Sequence, residues 1–499
     1  MDVVANLFAG LAVALQPINV LYCLAGALIG TLIGVLPGIG PMVTIAMLLP
    51  ITYYLPPVAA LIMLSGIYYG AQYGGSTTAI LVNLPGESSS LVTAIDGHQL
   101  ARQGRAGPAL AVAALGSLFA GIVATFVLAF LCPVLIELAL MFGPAEYFML
   151  MVLGLIAAIV LAQGSIPKAL AMILLGLLLG SIGTDVQTGD QRFTFGVPEL
   201  LDGVGFIPLA MGLFAVTEVY RSLEQQTETV VVSGRIANLW PSRDDFARSW
   251  AAVLRGSALG SMLGILPGGG ALLASFVAYA TEKRLSAEPE RFGKGAMEGV
   301  AAPESANNAA AQTSFVPLLT LGIPSNPVIA LMAGAMMMHG IQPGPQVIES
   351  RPELFWGLIA SMLVGNVLLV IINLPLIGIW VRLLRVPYRL LFPAILVFTS
   401  IGVFSLGNLP LEVQLLALFG LVGIVLVKLD CEPAPLLLAF IIGPLMEEYF
   451  RRAMQVSRGN PAIFVERPIS AGLLAIVVGL ILIVSLPKLR RLRTEAFRE

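Results

Sequence analysis

Charge is the first thing this sequence lacks. Only 11% of its 499 residues are Asp, Glu, Lys or Arg, while 58% are hydrophobic; an ordinary soluble domain carries about 25% charged residues. Before Arg102 the charged residues are Asp2, Glu87 and Asp96 alone. A soluble fold has no way to hide so much apolar surface. The net charge of −2 removes the electrostatic case for a nucleic-acid partner. Cysteine is equally thin: Cys23, Cys132 and Cys431 lie in or beside apolar runs. They form neither a disulfide framework nor a zinc spacing, and read as small packing residues. His98 and His339 are the two histidines; without an HExxH or a nearby cysteine pair they indicate no metal site. No G-x-x-x-x-G-K-[ST] is present, which excludes ATP hydrolysis by the P-loop route. No G-x-S-x-G elbow is present either, and nothing in the spacing makes Gly86-Glu-Ser88 an intramembrane protease. No catalytic residue is assigned and the chain is expected not to be an enzyme. The N-terminus lacks the basic region of a cleaved signal peptide, so the first apolar run is expected to be a retained helix.

What the sequence has is long charge-free runs, at 108–136, 256–281, 305–348, 354–381, 390–411 and 468–487. With shorter runs added, and about 20 residues per crossing, they predict roughly 10–12 membrane-inserted segments. The expected fold is an all-α polytopic membrane protein.

The chain also contains an internal duplication. Gly30-Thr-Leu-Ile-Gly34-Val-Leu-Pro37-Gly38-Ile-Gly40 matches Gly260-Ser-Met-Leu-Gly264-Ile-Leu-Pro267-Gly268-Gly-Gly270 at a shift of 230. Asn83-Leu-Pro85-Gly-Glu-Ser88 resembles Gly322-Ile-Pro324-Ser-Asn-Pro327 at 239, and Pro144 and Pro167 pair with Pro387 and Pro410 at 243. The matched stretches span about 26–185 and 256–430. Two homologous halves are expected at 1–220 and 256–487, with a polar connector at 221–255 and a basic tail at 488–499. The connector is expected to hold a short surface helix at 244–254. Lys488, Arg490, Arg491, Arg493 and Arg498 put the tail in the cytoplasm by the positive-inside rule. The polar stretch 447–467 also carries Arg451, Arg452, Arg458 and Arg467, one span away. Either it is external despite these arginines, or an apolar run before it is re-entrant.

Two constellations point to chemistry. Pro37, Gly38 and Gly40, with Pro267, Gly268 and Gly270, crowd helix breakers into apolar runs. The freed backbone groups cost several kcal/mol each in hydrocarbon unless they line a cavity or are buried in protein. Matched broken helices are a pointer to a transporter site: helix N-termini suit carboxylates, and unwound carbonyls suit Na⁺. The same glycine spacing also serves close helix packing. The second constellation is Tyr69-Gly-Ala-Gln-Tyr-Gly-Gly-Ser76-Thr77-Thr78 and Asn83-Leu-Pro-Gly-Glu87-Ser88, paired with Ala302-Pro-Glu304-Ser305-Ala-Asn307-Asn308 and Ser325-Asn326. These stretches are read as polar loops between apolar runs, lining a path or exposed at the surface. With no Lys or Arg nearby, an anion would be held by Ser76, Thr77, Thr78, Asn83, Ser88, Ser305, Asn307, Ser325 and Asn326. Asn83, Asn308, Glu87 and Glu304 are the ion-coupling candidates, since hard cations take oxygen ligands and a membrane acid can relay a proton. Asp96 is a third acid near these stretches.

Taken together, Gly30–Gly40, the Tyr69–Thr78 run, Asn83-Leu-Pro-Gly-Glu and the unusual Ala-Pro-Glu-Ser-Ala-Asn-Asn string resemble the large membrane subunit of the tripartite tricarboxylate transporter family. The resemblance covers nearly the whole chain. It implies a multi-pass protein of the bacterial inner membrane, a small transmembrane subunit and a periplasmic solute-binding protein. It further implies uptake of citrate-like tricarboxylates, dicarboxylates or other organic acids by symport with Na⁺ or H⁺, with no other cofactor. An intramembrane enzyme is disfavoured by the missing signatures, and a channel by the paired broken helices. If Asn308 serves a Na⁺ site, Asn308→Leu weakens the Na⁺ dependence of uptake, read as the Na⁺ concentration for half-maximal rate. Unchanged Na⁺ activation would move the coupling role to Glu87 or Glu304.

Overall fold

The computed structural model describes all residues except 1, 37–39, 162–164, 186, 225–238, 267–269, 385–390 and 486–499. It is the all-α, polytopic architecture that the composition predicts. Proline is frequent and opens many of the helices, in the first turn, where its missing N–H has no partner to lose. Helix α1 (Val3–Ala14) precedes α2 (Pro17–Val35), α3 (Pro41–Tyr53) and α4 (Pro57–Val82), the last three each opening on proline. A 3₁₀ turn at Ser88–Ser90 leads into α5 (Leu91–Arg102), then α6 (Ala106–Ala139), α7 (Pro144–Leu161) and α8 (Ile166–Gly180). A small antiparallel hairpin, β1 (Gly183–Thr184) with β2 (Gln191–Arg192), is followed by α9 (Phe206–Ala210). That helix continues through a π-helical turn into α10 (Thr217–Glu224). Beyond the connector come α11 (Arg243–Gly264), α12 (Gly270–Leu285), α13 (Glu298–Thr313), α14 (Phe315–Leu321), α15 (Pro327–Met338) and α16 (Val347–Ser350). The chain finishes with α17 (Pro352–Asn373), α18 (Ile377–Leu383), α19 (Leu391–Gly407), α20 (Pro410–Lys428), α21 (Ala434–Val456), α22 (Ile463–Glu466) and α23 (Pro468–Ser485). By length and composition α2, α6, α17 and α20 can each cross a membrane; α1, α3, α7, α8, α15, α19 and α23 are apolar but shorter.

Two sequence expectations are corrected. The helix expected at 244–254 is the first part of α11, which runs on to Gly264. Ser242 caps it: its Oγ accepts from the Asp245 amide at 3.1 Å, and the Asp245 carboxylate accepts from the Ser242 amide at 3.0 Å. Charge stops at Arg255, midway along α11, so reading charge alone splits one helix into two. The stretches 69–78 and 302–308 are not loops but lie inside α4 and α13. Their small and polar residues face other helices rather than water.

Glycine makes that packing possible. A Cβ on Gly26, Gly30 or Gly34 of α2 would lie 2.2–2.4 Å from the carbonyl oxygens of Met63, Ile67 and Ala71 of α4. On Gly256, Gly260 or Gly264 of α11 it would lie 2.2–2.4 Å from those of Ala302, Ala306 and Ala310 of α13. In each pair the backbones touch along parallel helices, the close approach that small residues allow.

These contacts build two three-helix groups. Beside α2 and α4 runs α17, in the same direction: Gly357 lies by Val58, Gly365 by Tyr69 and Cys23, and Asn373 bonds Thr31. Beside α13 runs α6, also in the same direction: Ser117 lies by Glu304 and Asn308, and Thr125 donates to Gln312. The groups are opposed where α6 meets α17, since Gly121 faces Asn366 whereas Ser117 and Leu110 face Asn373 and Ile377.

At one end of the molecule, three of the arginines in 447–467 are spent on carboxylates. Arg451 pairs with Asp185 and Glu447, each at 2.6 Å, Arg452 pairs with Glu448, and Arg467 pairs with Glu146 at 2.5 Å. Arg451 holds the Asp185 carboxyl well below the usual carboxylate range, with help from the Thr188 and Gln187 amides. The pairs fasten the β-hairpin and α7 to the end of α21 and the start of α23.

The glycine contacts predict that Gly260→Leu abolishes folded protein, because the obstructing atom is backbone. Gly472→Leu in α23, where a Cβ meets nothing within 4 Å, is tolerated. Abundance and monodispersity of detergent-extracted protein check this; a normal Gly260→Leu profile would refute the packing account.

Candidate functional site

The polar side chains converge where α4 crosses α13. Glu304 is fully buried at the centre. Its carboxylate accepts from Ser76 Oγ of α4 and from Thr93 Oγ1 of α5, both at 2.5 Å. No basic side chain pairs with it among the described residues. Two hydroxyl donors compensate part of the cost of burying a carboxylate. One turn on, Asn308 Nδ2 donates to Ser117 Oγ at 2.8 Å, to the Asn307 side-chain oxygen at 2.6 Å and to the Glu304 carbonyl at 3.1 Å. Glu304 thereby joins α13 to α4, α5 and α6.

The predicted donors divide into two kinds. Ser76 also bonds the Gln72 carbonyl at 2.9 Å, Thr77 the Tyr73 carbonyl at 3.3 Å, and Ser325 the Ser314 carbonyl at 2.9 Å. Thr78 reaches across to the Val35 carbonyl at 2.8 Å, satisfying an acceptor that the end of α2 leaves without a helical partner. By contrast Ser305 Oγ, Tyr73 OH and Gln312 Nε2 are buried with no hydrogen-bond partner. Asn307 lies against Glu304, and Asn326 against Tyr68. Native proteins leave few such groups, and a cluster of them calls for an explanation. Asn83 and Ser88 are exposed, away from the buried network.

Described helix ends flank both predicted breaks. α2 stops at Val35 and α3 starts at Pro41; α11 stops at Gly264 and α12 starts at Gly270. Pro37, Gly38, Pro267 and Gly268 lie outside the described residues. Gly40 and Gly270 take φ of 37° and 44°, backbone that glycine adopts without steric cost. Beside the second break sits Asn326, the N-cap of α15: its Oδ1 accepts from the Ile329 amide at 3.0 Å, and its Nδ2 is 3.7 Å from where a Gly270 Cβ would be.

Of the acids, Glu87 caps the 3₁₀ turn, accepting from the Ser89 amide at 2.9 Å and from the Ser89 hydroxyl. Asp96 is an anchor: one oxygen accepts from the amides of Gly293, Gly295 and Ala296 at 2.8–2.9 Å, the other from Tyr279 OH at 2.9 Å. Glu304 instead is held by side chains, the Ser76 and Thr93 hydroxyls and the Asn307 amide. No group of three or more His, Cys, Asp or Glu that could hold a metal ion occurs among the described residues.

A narrow cleft of about 10 Å³, room for about one water, opens beside this network, between α4, α6 and the junction of α17 with α18. Tyr73, Ser76, Thr77, Ser117 and Asn373 are its polar lining. Ser76 and Thr77 were expected; Ser117 and Asn373 were not. Their signal was faint: Ser117 and Thr125 in α6, like Asn366 and Asn373 in α17, are polar residues seven or eight apart in apolar helices, a spacing that keeps one helix face.

The model of the tripartite tricarboxylate transporter TctA family matches residues 20–438. An uncharacterized 52.8 kDa protein in the TAR-I ttuC' 3' region of Agrobacterium vitis is 59% identical over 499 residues, covering 100% of this chain and 99% of that protein. An uncharacterized protein in the TAR-II ttuC' 3' region of the same organism is 58% identical over 240 residues, 48% of this chain and 99% of its own length. No solved structure matches.

The division of donors predicts opposite effects on stability. Ser76→Ala breaks a buried bond to Glu304 and costs about 1–3 kcal/mol. Ser305→Ala removes an unpartnered hydroxyl and leaves stability equal or higher. Thermal unfolding in detergent measures both; equal losses would make Ser305 an ordinary packing donor.

Proposed function

This chain belongs to the tripartite tricarboxylate transporter TctA family, and on that footing we propose that it imports small organic anions with two or three carboxylates across the bacterial inner membrane. A Na⁺ or H⁺ gradient drives it. A periplasmic solute-binding protein supplies the substrate, and a small transmembrane subunit completes the assembly. The observation that carries this reading is the buried network of neutral hydroxyls and amides around Glu304, with no lysine or arginine paired to it among the described residues. A carboxylate that leaves water needs donors in its place. Neutral donors supply them without a fixed cation, which would be costly to bury when the site is empty.

The opposed helix groups support alternating access. α2 with α4 and α11 with α13 are alike in glycine register, and the groups containing them run in opposite directions. Two inverted halves about a midplane site are the arrangement in which one half opens as the other closes. In this reading the ion-paired end at Asp185, Glu447 and Arg451 is external, one helix away from the basic tail. Coupling works through Glu304: a proton there, or a cation beside it, neutralises the charge that faces an arriving anion.

Asn326→Asp tests the site. Aspartate keeps the cap acceptor of α15 and replaces the amide donor with an oxygen that repels carboxylates. Uptake of labelled citrate, in cells that also express the two partner proteins, then needs a tenfold to hundredfold higher concentration for half-maximal rate, at normal abundance. No concentrative uptake of any di- or tricarboxylate by the wild type, under either gradient, would remove the proposal.

A further inference from the structure

The cleft beside Glu304 is the size of one water, about 10 Å³. Cavities that stay dry are apolar, whereas a polar cavity of this size holds a water when two to four partners surround it. Five of the lining residues are polar: Tyr73, Ser76 and Thr77 of α4, Ser117 of α6 and Asn373 of α17. Two of them are incomplete. Asn373 Nδ2 donates to the Leu369 carbonyl at 2.9 Å and reaches Thr31 Oγ1 at 3.3 Å. A carbonyl oxygen only accepts, so the amide orientation is fixed and Oδ1 faces away from Leu369. That Oδ1 is buried without a donor, and the Tyr73 hydroxyl is buried without a partner of either kind.

These unmet demands identify the occupant. Asn373 Oδ1 needs a hydrogen, which excludes an anion. Tyr73 has a hydrogen to give, and a metal ion or an ammonium would leave it unpaired. An organic acid is too large. Water both donates and accepts, and it has the right size. We propose that one tightly held water sits in this cleft, accepting from the Tyr73 hydroxyl and donating to Asn373 Oδ1. Its second hydrogen goes to Ser76 Oγ, whose own hydrogen is committed to Glu304 at 2.5 Å and whose lone pairs can still accept. That third bond polarises the Ser76 hydroxyl and strengthens its hold on the carboxylate, as neighbouring bonds in a chain do. The water ties α4 to α17 at the face that α6 closes, and lies one hydroxyl away from the buried acid. Its place is the same whichever solute the protein carries.

Radiolytic labelling tests this. A short X-ray pulse on the purified full-length chain in detergent converts bound water into hydroxyl radicals, which oxidise the side chains beside them, and mass spectrometry of the peptides reads the label. Tyr69 is the internal control: it lies one turn earlier on α4, is 2% exposed against 4% for Tyr73, and does not line the cleft. Tyr73 is expected to label several-fold faster than Tyr69, equally in sodium chloride and in choline chloride. Asn373→Leu removes the acceptor and brings Tyr73 down to the Tyr69 rate. Should that variant not fold, Ala114→Val fills the cleft from α6 and is expected to do the same. Equal rates at Tyr73 and Tyr69 in the wild type overturn the proposal, and this arm needs no variant. A full Tyr73 rate in Asn373→Leu overturns the assignment to Asn373. A Tyr73 label present in choline and lost in sodium overturns the water in favour of a bound cation.

Discussion

The contact on which this structure depends is a glycine Cα pressed against a carbonyl oxygen of the next helix. It occurs three times between α2 and α4 and three times between α11 and α13. With side chains in those places the helices of each pair would stand several ångströms further apart. The Thr78 contact to the end of α2 follows directly from that closeness. In a membrane little is gained by burying apolar surface away from apolar lipid, so tight packing and internal hydrogen bonds must hold the helices together.

Within this frame satisfied and unsatisfied polar groups have different roles. Asp96, with three backbone amides and a phenol on its carboxylate, fixes the loop before α13 to α5. Asp185, with Arg451 and two amides, fixes the hairpin to α21. Both are complete and both hold the scaffold. Ser305, Tyr73 and Asn373 are incomplete in the same interior, where an unpaired group is expensive. Tyr73 and Asn373 line the cleft, Asn326 stands beside a helix break, and Ser305 and Asn307 lie on α13 next to Glu304.

Much of this was legible in the sequence. The scarcity of charge gave the membrane class, and Gly-Pro clusters in apolar runs gave both helix breaks, because no other residue types end a helix so abruptly in hydrocarbon. The Ala-Pro-Glu-Ser-Ala-Asn-Asn string marked the buried polar network. Its setting was misread: glycine, serine and asparagine usually signal loops, and only tertiary contact with α2 and α11 makes them helix here. Ser117 and Asn373 stayed hidden because a lone polar residue in an apolar helix looks the same whether it bonds its own backbone or a neighbour. Ser242 and Asp245 spelled out the start of α11, but the switch from charged to apolar at Arg255 hid that the helix continued.

The way the helix groups are composed bears on how the protein is made. α17, from the second part of the chain, completes the group of α2 and α4; α6, from the first, completes that of α11 and α13. A ribosome delivers α2 and α4 long before α17. Until then Thr31 and Tyr69 face the bilayer without the helix that will cover them. Meanwhile α6 waits with Ser117 and Thr125 turned toward partners not yet synthesised. Neither part is a finished object when it leaves the insertion machinery, and neither can be proofread alone. Each group can be completed only after α17 or α13 has been made, because each holds a helix from the other part of the chain.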